Sequence, residues 1–103
     1  MPIAKPAGIE PVAKPALFAP KSSVMSCDVG EEAVLLDAEQ GLYFGLDGVG
    51  ARIWQLIAEG RDVSGMVSAI VSDFDVAHDI AMRDVAAFVD ELLEKGLISR
   101  LDG

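Results

Sequence analysis

The chain has little with which to do covalent chemistry. Its 103 residues include one cysteine, Cys27, and one histidine, His78. A single cysteine excludes an internal disulfide, so the fold must rest on packing alone. A small domain without such links suits a reducing compartment. One His and one Cys, with no ligand spacing around them, exclude a structural zinc site. No apolar run approaches the roughly 18 residues that a membrane helix needs. Prolines stand where a secretory signal would have its apolar stretch. The expectation is a cytoplasmic protein with no membrane partner. Basic side chains are also scarce: eight Lys and Arg stand against seventeen Asp and Glu, for a net charge of −9.

That charge is unevenly spread. Residues 1–22 carry three lysines and one glutamate, whereas residues 23–103 carry five basic and sixteen acidic side chains. Nucleic-acid binding depends on Lys and Arg neutralising phosphates, and such a body would repel a polyanion. It would equally be repelled by anionic lipid. A neutral or partly basic peptide remains a compatible partner.

Proline is confined to one end. All five prolines lie in the first twenty residues, four of them within a tandem repeat of IAKPAGIEP (3–11) and VAKPALFAP (12–20). Prolines at this density forbid a helix and favour extended chain. The prediction is a flexible arm over 1–22, with Leu17 and Phe18 able to anchor its end, followed by one domain over 23–103. The overall content, 51% hydrophobic and 24% charged, is that of a globular protein.

Periodicity divides the body into strands and then helices. Ser23 to Asp28 alternates as a first strand, and Glu32 to Leu36 is a second, rich in Val and Leu. Asp37 to Gly41 forms a short hairpin connection into a third strand, Leu42 to Leu46. Asp47 caps a helix reaching about Glu59 and ended by Gly60. Asp62 caps a second helix over 63–72, and a third runs over 77–95, closed by Gly96. The apolar arc of this third helix is broader than the ~100° stripe one core face requires. This gives an α+β fold, winged helix-turn-helix-like, with a three-stranded antiparallel sheet followed by three helices. No strand follows 42–46 before the helices, so that strand is predicted to be an open sheet edge, where another chain can add itself.

The chemical candidates resolve into structural residues. Cys27 lacks a partner base and reads as a strand cysteine, and His78 as a surface helix residue. Asp73, Asp75 and Asp79 suggest calcium, but an EF-hand loop starting at Asp73 would meet His78 where it needs Gly and Asp84 where it needs Glu. Gly45, Gly48 and Gly50 lack phosphate-loop spacing and a following lysine. Trp54 reads as core. No catalytic residue, metal site or cofactor is predicted, and the chain is read as a non-enzyme. The helix pair invites a DNA-binding transcription regulator as the alternative. Its second helix, however, offers Arg83 and Lys95 against Asp79, Asp84, Asp90, Glu91 and Glu94.

Four segments in order carry a resemblance: VLLD at Val34–Asp37, GLYFGL at Gly41–Leu46, GARIW at Gly50–Trp54 and LLEKGLI at Leu92–Ile98. Together they resemble the PqqD-like family of precursor-peptide recognition domains, and most nearly its stand-alone members in lasso-peptide clusters. The resemblance implies binding of the leader of a ribosomally made precursor peptide. It further implies presentation to a transglutaminase-like leader peptidase or another modifying enzyme. The leader would add as a strand beside Leu42, Tyr43, Phe44, Gly45 and Leu46, against the third helix. The predicted contacts on that helix are Met82, Val85, Ala86 and Val89, with Arg83 and Asp84 at the rim.

Overall fold

A computed structural model describes residues 17–101. Its elements run β1 (Leu17–Pro20), β2 (Val24–Val29), β3 (Glu32–Asp37), β4 (Leu42–Leu46), α1 (Gly48–Ala58), α2 (Val63–Phe74), α3 (His78–Glu94) and β5 (Ile98–Leu101). The three-stranded antiparallel sheet followed by three helices is as the sequence predicts. Winged-helix likeness is only a loose description of it, because a second, two-stranded sheet is also present.

That second sheet is the main departure from the sequence reading. β1 pairs antiparallel with β5, Leu17 opposite Leu101 and Pro20 opposite Ile98. Neither strand is predicted by periodicity, since each is four residues long and one lies in proline-rich sequence. β1 lies against α1, and Phe18 is 5% exposed within the core. The folded body therefore includes residues 17–20, which the sequence reading gave to the arm. Residues 1–16 of the predicted arm lie outside the described residues.

The larger sheet has the order β2-β3-β4. Side chains alternate across a strand, and on β3 Ala33, Leu35 and Asp37 point inward while Glu32, Val34 and Leu36 point outward. The register places Val34 opposite both Cys27 and Gly45, and Leu36 opposite both Met25 and Tyr43. On β4 the inward set is Leu42, Phe44 and Leu46, as predicted. Burial rises along it, from exposed Leu42 through half-buried Phe44 to buried Leu46.

The helices close the core from one side. Asp47 caps α1 by accepting from Gly50 N at 2.8 Å, and Asp62 caps α2 by accepting from Gly65 N at 2.7 Å. Each cap satisfies an amide that the helix itself leaves free. α3 ends in a paired closure: Gly96 N donates to Leu93 O and Leu97 N to Leu92 O. This requires the left-handed conformation that Gly96 supplies, with φ at 72°. The turn carries Leu97 and Ile98 into the core, where both are fully buried. Leu35, Leu56, Met66, Ile70 and Val85 form the centre of that core.

Candidate functional site

Among the described residues, β4 pairs only with β3. Its other edge is therefore a row of backbone donors and acceptors without strand partners. α3 stands off from this edge, and a trough of about 470 Å³ lies between them. One wall is Tyr43, Phe44, Gly45 and Leu46, and the other is Phe88, Glu91, Leu92 and Lys95. The helical wall follows from geometry: residues at i, i+3, i+4 and i+7 share one face of a helix. A second hollow of about 390 Å³ continues along α3, where Asp84 and Ala87 face Val49 and Ile53 of α1. Asp47, Phe88 and Glu91 border both hollows.

Phe88 forms the ridge between them because residue 50 is glycine. A Cβ at Gly50 would stand 3.1 Å from Phe88 Cζ and 3.2 Å from Asp47 Oδ1. Without that carbon, the ring settles against the start of α1. Thus the same few residues cap a helix, admit an aromatic ring and set the floor of the trough.

The far end is held by a polar brace. Asp37 is 2% exposed and accepts from Glu39 N at 3.0 Å and from Gln40 N at 3.3 Å. The Gln40 amide donates to the Asp37 carboxylate and also, at 3.2 Å, to the carbonyl of Lys95. The β3–β4 turn is thereby tied to the end of α3. The Gln40 side chain, foremost, holds the Asp37 carboxyl below its ordinary value. Burial opposes this, and the Gln40 and Glu39 amides and the Ser23 hydroxyl reinforce it. Asp47 and Glu91 make the α1 end of the trough acidic, Asp84 adds to this from the adjoining hollow, and Lys95 stands towards the other end.

The structure brings together only part of the predicted site. The strand residues Leu42 to Leu46 form the free edge, and Tyr43 to Leu46 line the trough. On α3 the structure places the predicted contacts away from the trough. Val85 is 0% and Val89 4% exposed, so both are core residues, and neither lines the trough. Met82, Arg83 and Ala86 are exposed, but none lines the trough. Met82 and Ala86 lie on the flank across the core-facing stripe from Phe88, given the turn of about 100° per residue. Asp84 borders only the second hollow. Phe88, Glu91, Leu92 and Lys95, which line the trough, were not among the predicted site residues. Their i, i+3, i+4, i+7 spacing was visible, but two of the four are charged, so an apolar arc does not mark them.

Among the described residues no group of three His, Cys, Asp or Glu could hold a metal ion, and no helix is long and apolar enough to cross a membrane. An open sheet margin beside a partly apolar trough is the architecture of a small α+β binding domain. The family of coenzyme PQQ synthesis protein D (PqqD) matches residues 32–98, and the chain belongs to it. Two solved structures are similar. One, described as TbiB1 in complex with the TbiA(beta) leader peptide, is 37% identical with a TM-score of 0.75. The match covers 79% of this chain and 94% of that one. The other, a lasso peptide synthetase B1 complexed with the leader peptide, is 28% identical with a TM-score of 0.73. That match covers 80% of this chain and 96% of the other. A comparison with curated proteins finds no match. Nothing among these findings supports the DNA-binding alternative, which the acidic α3 already disfavours.

Proposed function

We propose that this chain binds the leader region of a ribosomally made precursor peptide, in lasso-peptide biosynthesis, and presents it to a modifying enzyme. The observation that carries this reading is the β4 edge, unpaired among the described residues, that borders the trough. Both similar structures are described as complexes with leader peptides. Backbone groups of Leu42–Leu46 would hydrogen-bond an extended segment, which gives affinity without reading sequence. Side chains from that segment would enter the trough against Phe44, Phe88 and Leu92, which gives selectivity. The chain does no chemistry itself in this reading, and a transglutaminase-like leader peptidase acts on the peptide it holds. A lone exposed thiol, Cys27, fits a reducing compartment such as the cytoplasm.

The test uses a labelled leader peptide from a precursor gene beside this one. Phe88→Ala should weaken binding by roughly 10- to 100-fold, as for a central aromatic anchor, with the fold kept. Hydrogen exchange should show the amides of β4 becoming protected when the peptide binds. Unchanged exchange in β4 despite saturating peptide would rule out strand addition.

A further inference from the structure

We propose that the second hollow is a further pocket for the same peptide. It takes a long basic side chain, Lys or Arg, two residues away from the apolar anchor in the trough. The proposal rests on the reading of β4 as a strand-accepting edge and deepens it into a preference for one class of peptide.

The two hollows form one path. Asp47, Phe88 and Glu91 border both, and α3 contributes residues between 88 and 95 to the trough but between 84 and 91 to the second hollow. Their centres therefore stand about four residues apart on the helix, or about 6 Å at 1.5 Å per residue. Side chains on one face of a strand recur every two residues, at about 6.6 Å. A segment with one side chain in the trough thus brings the next on that face to the second hollow. β4 ends at Leu46 and α1 begins at Gly48, so the edge offers no further backbone pairing there. What enters the second hollow is a side chain.

The lining selects its chemistry. The floor is apolar: Ile53 is 1% exposed, with Val49, Ala87 and the Phe88 ring around it. The rim carries Asp47, Asp84 and Glu91 and no basic residue. Asp47 has a structural duty as the cap of α1. Asp84 and Glu91 stand exposed within α3, and among the described residues neither is in an ion pair. An apolar side chain would cover the floor but leave the rim acids without a counter-charge. An acidic one would be repelled. Lys and Arg lay their stems on apolar surface and keep the charge at its margin, here among acids and beside an aromatic face. Lys95, towards the other end of the trough, confines the preference to one end of the peptide.

The test follows the anisotropy of the labelled leader peptide with the full chain at low salt. Each Lys and Arg of the leader is replaced by Met in turn. One replacement, two residues from the most important apolar residue, should weaken binding about three- to fivefold, the upper range for an exposed ion pair. Asp84→Asn should weaken the unmodified leader by a similar factor. The two changes together should do no more than either alone, because they remove one interaction. Asp90→Asn makes the same charge change on α3 outside both hollows, and should leave the affinity as it is. Ala87→Leu fills the second hollow without touching the trough, and should weaken the leader at least as much as Asp84→Asn with the unfolding midpoint kept. Equal losses from Asp84→Asn and Asp90→Asn would overturn the proposal, since they would reflect the general charge of the domain. So would additive losses in the double change, or a leader with no Lys or Arg at that spacing. A leader that protects the β4 amides yet ignores both Asp84→Asn and Ala87→Leu would overturn this inference alone. One that binds without protecting β4 would overturn the proposed function, and this inference with it.

Discussion

The molecule has two small sheets, and they treat their margins differently. In the β1–β5 ribbon, a segment from near the N-terminus is sealed against the C-terminal strand, and Phe18 fixes it to the core. At β4 the margin is free among the described residues, and the aromatic beside it, Phe88, belongs to the wall rather than to an incoming strand. The contrast indicates what makes capture permanent. A strand pair alone is marginal in water. One large buried side chain turns it into part of the fold, and a trough without a resident anchor stays exchangeable.

The largest expected effect comes from removing that permanence. Phe18→Ala should cost about 3–5 kcal/mol, the usual range for a buried phenylalanine. Denaturant unfolding should show it as a lower midpoint, and the β1–β5 amides should lose exchange protection first. Stability close to that of the parent would mean that β1 is no more fixed than the open margin, and the contrast would fail.

A smaller effect isolates the other margin. Gly50→Ala places a methyl against the Phe88 ring and the Asp47 carboxylate, so the ring must shift where it borders the two hollows. Stability should change by no more than about 1 kcal/mol, since a better helix former offsets the crowding. Peptide affinity should fall several-fold as the ring narrows the trough. An equal change in both quantities would show that residue 50 acts on the core and not on the site.

The smallest effect lies in the brace between turn and helix. The folded pKa of Asp37 is lowered. Its carboxylate therefore contributes stability that is whole above the ordinary Asp value of about 4 and is lost as pH falls through the lowered folded value. Asp37→Asn should remove that part of the acid dependence, read as a flatter plot of unfolding midpoint against pH below about 4. An unchanged slope would assign the acid sensitivity to other carboxylates.

Much of this architecture is legible in the sequence where local signals and tertiary packing agree. Asp47 and Asp62 announce their helices, Gly96 ends α3, and alternation marks β2, β3 and β4. The β1–β5 ribbon is not legible, because its pairing joins residues about eighty positions apart and nothing local distinguishes LFAP from the prolines around it. At the site, the strand edge follows from the order of elements. The helix flank does not, because apolarity identifies the core stripe of Ala81, Val85, Val89 and Leu92. The trough stripe mixes Phe88 with Glu91 and Lys95, and only the position of Gly50 across from it separates the two.

Trp54 is buried on α1 while Cys27 is exposed on β2. The chain thus comes with two spectroscopic handles at sites of opposite character. The indole's emission reports loss of the interior, and a dye coupled to the lone thiol rides on the sheet without entering the trough. Unfolding and ligand arrival can be followed as separate optical channels in one sample, with no engineered label position.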